Sequence, residues 1–367
     1  MCQVLFRISL KPFTWLPHWW PETQISIPGF GVMLALTLLV CTWIGTRRAL
    51  KERVSPHLIQ DLAIWIFVFG LIGARVVYIV QFWDQFKDQS WYHFLMIWQG
   101  GIVFYGSALG GIAGYALAYF FQLRNQRIST WQIADIVAPA AAIGLCLGRV
   151  GCFLNGCCFG NVACLNCPAA AFPLPSPARY KLVGEGLQTA AGFTLVTGKS
   201  PATVAAVEPG SAADSAGLQP GDVIVAANAL PIAGETDLAR YLWQDWPRGQ
   251  NVLALTLDSG KELKFTPRTL GLHPTQLYES ISTLLLFLVL TAFYPFRRCS
   301  GQVMVLFILG YSVHRFLDEM LRNDTPKVAW DLTLSEWGSI FFFAVGLFLA
   351  LYLWRQPSHA PSPAAAA

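Results

Sequence analysis

The feature that most restricts this chain is a series of seven apolar stretches, each long enough at about 20 residues to cross a bilayer. They lie near residues 28–46, 58–81, 97–121, 131–151, 275–294, 302–321 and 336–354. The fourth is rich in Ala and Gly, small residues that let helices pack closely in lipid. Trp19, Trp20, Trp83, Trp91, Trp131 and Trp337 flank several stretches, as interfacial aromatic belts do. Only 13% of residues are charged, against roughly 25% in a soluble globule. The net charge of +4 is too small to imply nucleic-acid binding. No cleavable leader is expected in residues 1–27, and Cys2 reads as incidental rather than as an acylation site. The expected fold class is an all-α polytopic membrane bundle of about seven transmembrane helices, with a soluble insertion.

Charge in the short loops sets an expected orientation. Arg47, Arg48, Lys51 and Arg53 follow the first stretch, Arg124 and Arg127 the third, Arg297 and Arg298 the fifth, and Arg355 the seventh. The alternate loops hold Lys87, then Arg322 and Lys327. The positive-inside rule places the N-terminus outside and the C-terminus in the cytoplasm.

The loop between stretches four and five is long and falls outside by this topology. Residues 161–180 are rich in Pro, Ala and Cys and read as a linker. Residues 181–268 carry strand signals at 203–208, 222–228, 251–258 and 261–267, and short helix signals at 211–217 and 237–244. The segment PGSAADSAGLQPGDVI (209–224) resembles the bacterial PDZ pattern, so a mostly-β PDZ-like extracytoplasmic domain is expected. Its Gly192-Phe193 pair is similar to a PDZ carboxylate-binding loop, which implies a peptide ligand, though a spacer without a ligand fits equally. The expected division is 1–160 and 271–367 for the membrane part, 161–180 for the linker and 181–268 for the insert.

Charged side chains within spans are costly, about 2.5–3.5 kcal/mol for a central Arg, which makes them functional candidates. Arg149, Asn155 and Gly156 sit in the Gly-rich outer end of stretch four. Tyr311, Arg315, Glu319 and Arg322 fall within about an 80° arc of one helix face. His273 opens HPTQLYE (273–279), in which Gln276, Tyr278 and Glu279 read as groups that orient neighbours. Tyr105 lies in the Gly-rich segment 100–111, and Arg75 in stretch two. Each has a plainer reading: snorkelling for Arg149, a stapling ion pair for the 311–322 face, a cap for His273, a core ring for Tyr105, a structural pair for Arg75. The Arg149, His273 and Arg315 clusters all map to the outer face, which suggests a site for an anionic phosphate group.

These residues resemble prolipoprotein diacylglyceryl transferases. The resemblance rests on IPGFGVMLAL (27–36), GGIVFYGSALGG (100–111), GRVGCFLNG (148–156), HPTQLYE, the Tyr311-to-Arg322 face and LTLSEW (332–337). It implies phosphatidylglycerol as donor, the lipobox cysteine of a lipoprotein precursor as acceptor, and a bacterial cytoplasmic (inner) membrane location. The products implied are a thioether-linked diacylglyceryl precursor and glycerol-1-phosphate. The chain departs from the family where many members carry His-Gly-Gly; Tyr105-Gly106-Ser107 stand there. It departs again where many carry Glu after Asn-Gly, at Cys157. On this reading Arg149 and Arg315 clamp the phosphate, Asn155 adds a hydrogen bond, and Tyr105 positions the thiol or relays its proton, with His273 as the rival base.

Cys157, Cys158, Cys164 and Cys167 could bind zinc or form disulfides. At least one disulfide is favoured, with connectivity unassigned, and Cys152 and Cys157 remain minor candidates for reactive thiols. No cofactor and no metal are expected. Competing functions are a zinc membrane protease, which lacks its His-Glu-x-x-His, a polar-lined transporter, and a catalytically altered family member acting mainly through the insert.

Overall fold

In the computed structural model, which describes residues 4–9, 24–87, 90, 93–94, 103–124, 128–164, 166–247, 249–322 and 327–356, helices predominate. Strands β1 (Val4–Ser9) and β2 (Gln24–Pro28) pair antiparallel ahead of α1 (Gly29–Lys51). Then come α2 (Pro56–Gln81), the short α3 (Trp83–Phe86), α4 (Phe104–Ala118) and α5 (Thr130–Asn155). A π-helical turn, Tyr119–Leu123, extends α4. Next are α6 (Pro177–Gly184), β3 (Phe193–Leu195), β4 (Ala202–Val207), α7 (Ala212–Ser215), β5 (Val223–Ala227), β6 (Leu230–Pro231), α8 (Glu235–Arg240), β7 (Leu253–Leu257) and β8 (Glu262–Phe265). The chain continues through α9 (Thr275–Phe293), α10 (Gln302–Glu319), β9 (Lys327–Ala329), β10 (Leu332–Thr333) and α11 (Leu334–Trp354).

Among the described residues, five segments are long and apolar enough to cross a membrane: Gly29–Lys51, Pro56–Gln81, Thr130–Asn155, Thr275–Phe296 and Leu334–Trp354. The other two expected spans correspond to α4 and α10. Part of the stretch before α4 lies outside the described residues, and α4 itself has 15 residues. In α10, Arg315, Asp318 and Glu319 interrupt an 18-residue helix with charge.

Two compact units are present. One contains residues 35–145, 283–311 and 342–367. Within it α2 and α4 meet through glycines. A Cβ on Gly106 would run into the Gly73 carbonyl, and one on Gly110 into the Phe69 carbonyl. Small residues spaced by four allow this backbone approach, the usual device for close helix contact in lipid. The Gly-rich segment around Tyr105 therefore has a packing role. Arg75, buried in α2, donates to the carbonyls of His93 (2.7 Å) and Phe94 (2.9 Å), the structural role weighed for it above.

The other unit contains residues 1–34, 146–282 and 312–341. Its insertion is built on a sheet of order β3-β4-β5-β7-β8, with β6 pairing β5. Leu253, Leu255 and Leu257 alternate inward along β7, as the two-residue strand period requires. They join Val204, Ile224, Leu238, Phe193 and Leu263 in one core. Residues 161–180 are not a plain linker. Bridges pair Val162 and Ala170 with Leu272, and Pro173 with Arg268. Phe159, Phe172, Ala178, Leu182 and Leu272 pack beneath them. Ser176 caps α6 by accepting from the Arg179 amide, with Pro177 in the first turn. The Arg179 guanidinium is buried and donates to the carbonyls of Ala190, Leu174 and Leu242. Burial without a carboxylate partner pushes it down to about 10. Arg179 thus ties α6 to the insertion through backbone oxygens, and its guanidinium also lies over the Trp243 ring.

Candidate active site

Glu279, in the first turns of α9, is the centre of the polar cluster in this second unit. Its carboxylate is 1% exposed. One oxygen, Oε2, lies 2.7 Å from Arg149 Nε on α5 and 3.8 Å from Arg315 Nη1 on α10. Arg315 also reaches Asp318 at 3.4 Å and donates to Ser335 Oγ at 3.1 Å. Its Nη2 stands 2.5 Å from Glu319 Oε2, a charge contact rather than an aligned hydrogen bond. Arg322 approaches the same Glu319 oxygen at 3.7 Å. Three guanidiniums thus face three carboxylates. A guanidinium offers a planar fork of donors that matches carboxylate and phosphate alike.

Local sequence explains how these groups are held. In HPTQLYE, Thr275 Oγ1 donates to the Cys158 carbonyl (2.9 Å) and Gln276 Nε2 to the Cys157 carbonyl (2.7 Å). Those bonds fix the end of the α5 segment against α9, next to Glu279. Gly156 takes φ +77 and ends α5; a Cβ there would press on Phe172 and Ser176 at 2.9 Å. Its visible role is to stop the helix under a packed ring. In LTLSEW, the Thr333 amide donates to Glu336 Oε2 (2.7 Å) and the Glu336 amide donates to Thr333 Oγ1 (3.2 Å). This is a buried reciprocal capping box at the start of α11. Ser335 within it receives Arg315, so the cap also anchors the site.

The expected residues divide. Arg149 and Arg315 come together through Glu279, and Glu319 and Arg322 join them through Arg315. The Asn155 amide faces Cys157 Sγ at 3.5 Å. His273 Nδ1 lies 3.3 Å from Tyr278 Oη, and its backbone pairs with Gly160 and Asn161. Tyr311 stacks on Phe307 and belongs to the first unit, one helical turn before Arg315. Tyr105 lies in α4 of the first unit, and its side chain falls outside the described residues. In the insertion, the Gly192 amide donates to Thr189 Oγ1, and Phe193 is part of the core.

Sequence reasoning passed over Asp318 and His314. His314 Nδ1 lies 2.9 Å from Ser282 Oγ. Both residues sit in α10 beside Arg315, and the cost of burying ionisable groups in a span, applied to the arginines, would have flagged them too. Cys164 and Cys167 form a disulfide, whereas Cys157 and Cys158, grouped with them above, are free thiols beside Cys152. The Cys152 and Cys157 thiols, then Arg149 and Arg322, hold the Cys158 thiol well below its ordinary range.

A sequence model of the prolipoprotein diacylglyceryl transferase family matches residues 19–352. The chain belongs to that family. Among its relatives is the phosphatidylglycerol--prolipoprotein diacylglyceryl transferase of Rhodopirellula baltica, 28% identical over 90% of this chain and 73% of that protein. Enzymes of the same name from Thermosynechococcus vestitus and Synechococcus elongatus are each 35% identical over 37% of this chain. Those two matches span about half of each relative, 49% and 46%. As a family member with several membrane-spanning helices, the chain is a multi-pass membrane transferase.

Proposed function

We propose that this chain transfers the diacylglyceryl group of phosphatidylglycerol to the lipobox cysteine of a lipoprotein precursor, the first step of lipoprotein maturation. The observation that carries the reading is the meeting of Arg149 and Arg315 on one Glu279 oxygen. Glu279 holds two guanidiniums at a common point, where their combined charge draws an incoming phosphate. The acceptor thiolate attacks the glyceryl carbon that bears the phosphate. The C–S bond forms as the C–O bond breaks, and the electron pair leaves with glycerol-1-phosphate. The arginines stabilise the charge that grows on that oxygen. Asn155 and Gly156 line the end of α5 on the headgroup side, Glu319 and Arg322 extend the charge array, and Tyr311 shapes the same helix. Tyr105 positions the thiol or relays its proton, with His273 as the alternative base.

The same proposal takes α4 and α10 as spans, for seven in all. It sets the N-terminus and insertion outside a bacterial inner membrane and the C-terminus in the cytoplasm. Residues 181–268 are read as a PDZ-like module for an extended peptide; the short edge strand β3, paired on one side only among the described residues, favours strand addition. Purified full-length protein is mixed with phosphatidylglycerol vesicles and a lipobox peptide, and the thioether product is followed by mass. Near-normal turnover by Arg149→Ala would sink the clamp.

A further inference from the structure

Cys152, Cys157 and Cys158 are free, and their three sulfurs all lie within 4.8 Å of one another. Cys152 comes from the last turn of α5; the other two are adjacent residues just beyond it. Cys158 takes φ +59, a conformation that costs a side-chain-bearing residue on the order of 1–2 kcal/mol. Thr275 and Gln276 hold the carbonyls of both adjacent cysteines in place. All three residues are partly exposed.

Around a tetrahedral zinc ion, Zn–S bonds of about 2.3 Å put sulfurs roughly 3.8 Å apart. Sulfurs within 4.8 Å of one another are compatible with that value. Thiolate is the ligand type that selects zinc over magnesium or calcium. A zinc ion with three thiolates carries one net negative charge. Arg149 lies one helical turn before Cys152 on α5, so its positive charge is on hand to offset part of this excess. In the second group of ligand-type residues, Glu279, His314 and Asp318, the carboxylates are already engaged by Arg149 and Arg315.

We infer that Cys152, Cys157 and Cys158 form a three-thiolate zinc site whose fourth position receives the acceptor cysteine as a thiolate. The inference rests on the transfer reaction proposed above and departs from the metal-free expectation drawn from sequence. It gives the acceptor a route to its reactive form that needs no histidine at position 105. The acceptor thiol displaces water from the metal and releases its proton to solvent. Coordination favours the deprotonated sulfur outright. That sulfur forms the bond to the glyceryl carbon while the phosphate leaves with the C–O electron pair. The product thioether is neutral, binds zinc weakly and departs; the metal stays divalent throughout. The site also sits beside Arg149, so acceptor and phosphate would be held next to each other.

The test uses full-length protein purified in detergent without chelator. Metal analysis should find about one zinc per chain, retained on dialysis and lost in Cys152→Ser, Cys157→Ser and Cys158→Ser, but kept in the Cys41→Ser control. If the serine variants fold poorly, thiol counting on the parent protein decides instead: three thiols should be shielded by zinc and released by chelator. Replacement with cobalt should give sulfur-to-cobalt absorption. A lipobox peptide should shift those bands, and the same peptide with Ser in place of its Cys should not. Zinc no higher than in the serine variants, or a disulfide among the three cysteines as isolated, overturns the site. Cobalt bands indifferent to the peptide overturn the fourth-position role. Metal binding is read without turnover, so zinc bound by a protein inactive in lipid transfer would count against the transferase reading and leave the metal site standing.

Discussion

Two buried ion networks in this chain use the same side chains to different ends. In the first unit, Arg297 pairs with Glu52 at 2.6 Å and approaches Asp135 at 3.7 Å. Asp135 is fully buried, and its oxygens accept from the amides of Gly301 (2.8 Å) and Met304 (3.0 Å). The guanidinium lies over the Tyr294 ring. One arginine serves two acids, backbone amides complete Asp135, and the turn between α9 and α10 is fixed. In the second unit, three arginines face three acids. Their side chains keep 17% exposure at Arg149 and 14% at Arg315, against 2% at Arg297. A closed network with its arginine 2% exposed and one acid held by backbone amides is suited to holding a fold. An open one with several guanidiniums at a common point can accept another anion.

The largest expected effect breaks the comparison at its functional side. Arg315→Lys and Arg149→Lys keep the charge and lose the fork, so transfer should fall roughly 10²- to 10³-fold, the range for losing one preorganised donor to a developing oxyanion. Protein yield and unfolding in detergent should change little. Normal turnover in either variant would show that the two networks do not differ in kind.

Arg297→Ala probes the structural side. It leaves Glu52 and Asp135 with an uncompensated buried charge, which should lower stability by about 3–5 kcal/mol. Turnover per folded molecule should stay unchanged. Loss of turnover in protein that remains folded would erase the distinction from the other direction. Arg297 was also one of the loop charges used to orient the chain, so a residue that reads as a free topological charge is here part of the packing.

Next in size is a test of helix contact without charge. Gly106→Ala places a methyl against the Gly73 carbonyl and should cost about 1–3 kcal/mol. Gly148→Ala meets nothing within 4 Å and should stay within about 0.5 kcal/mol. Equal losses in the two would remove the argument that backbone approach, rather than glycine content, joins α2 and α4.

What the sequence revealed follows from which forces are local. Strand alternation in the insertion is local, and β4, β5, β7 and β8 form on the segments that carried it. The arginines stood out because charge in a span is expensive wherever it occurs. Their shared partner was not legible: Glu279 meets Arg149 and Arg315 only through tertiary structure, and was read simply as an orienting group. The pairing of residues 160–173 with 268–273 was also hidden, because isolated bridges have no period. Cys152 joins Cys157 and Cys158 only once α5 stops at Gly156, so spacing alone grouped the latter two with Cys164 and Cys167.

The smallest expected effect sharpens the comparison by removing burial altogether. Lys181 and Glu185 form a pair at 3.5 Å along α6, with side chains 29% and 39% exposed. Water screens such a pair, and holding two long side chains together costs entropy, so Lys181→Ala should change stability by only about 0.3 kcal/mol. The Lys-before-Glu order opposes the helix dipole and reduces even that. If this change matched the loss at Arg297, ion pairing itself would account for both. A tenfold smaller response in free energy would place the difference where the two networks already differ: in how far water reaches the charges and in what else completes them.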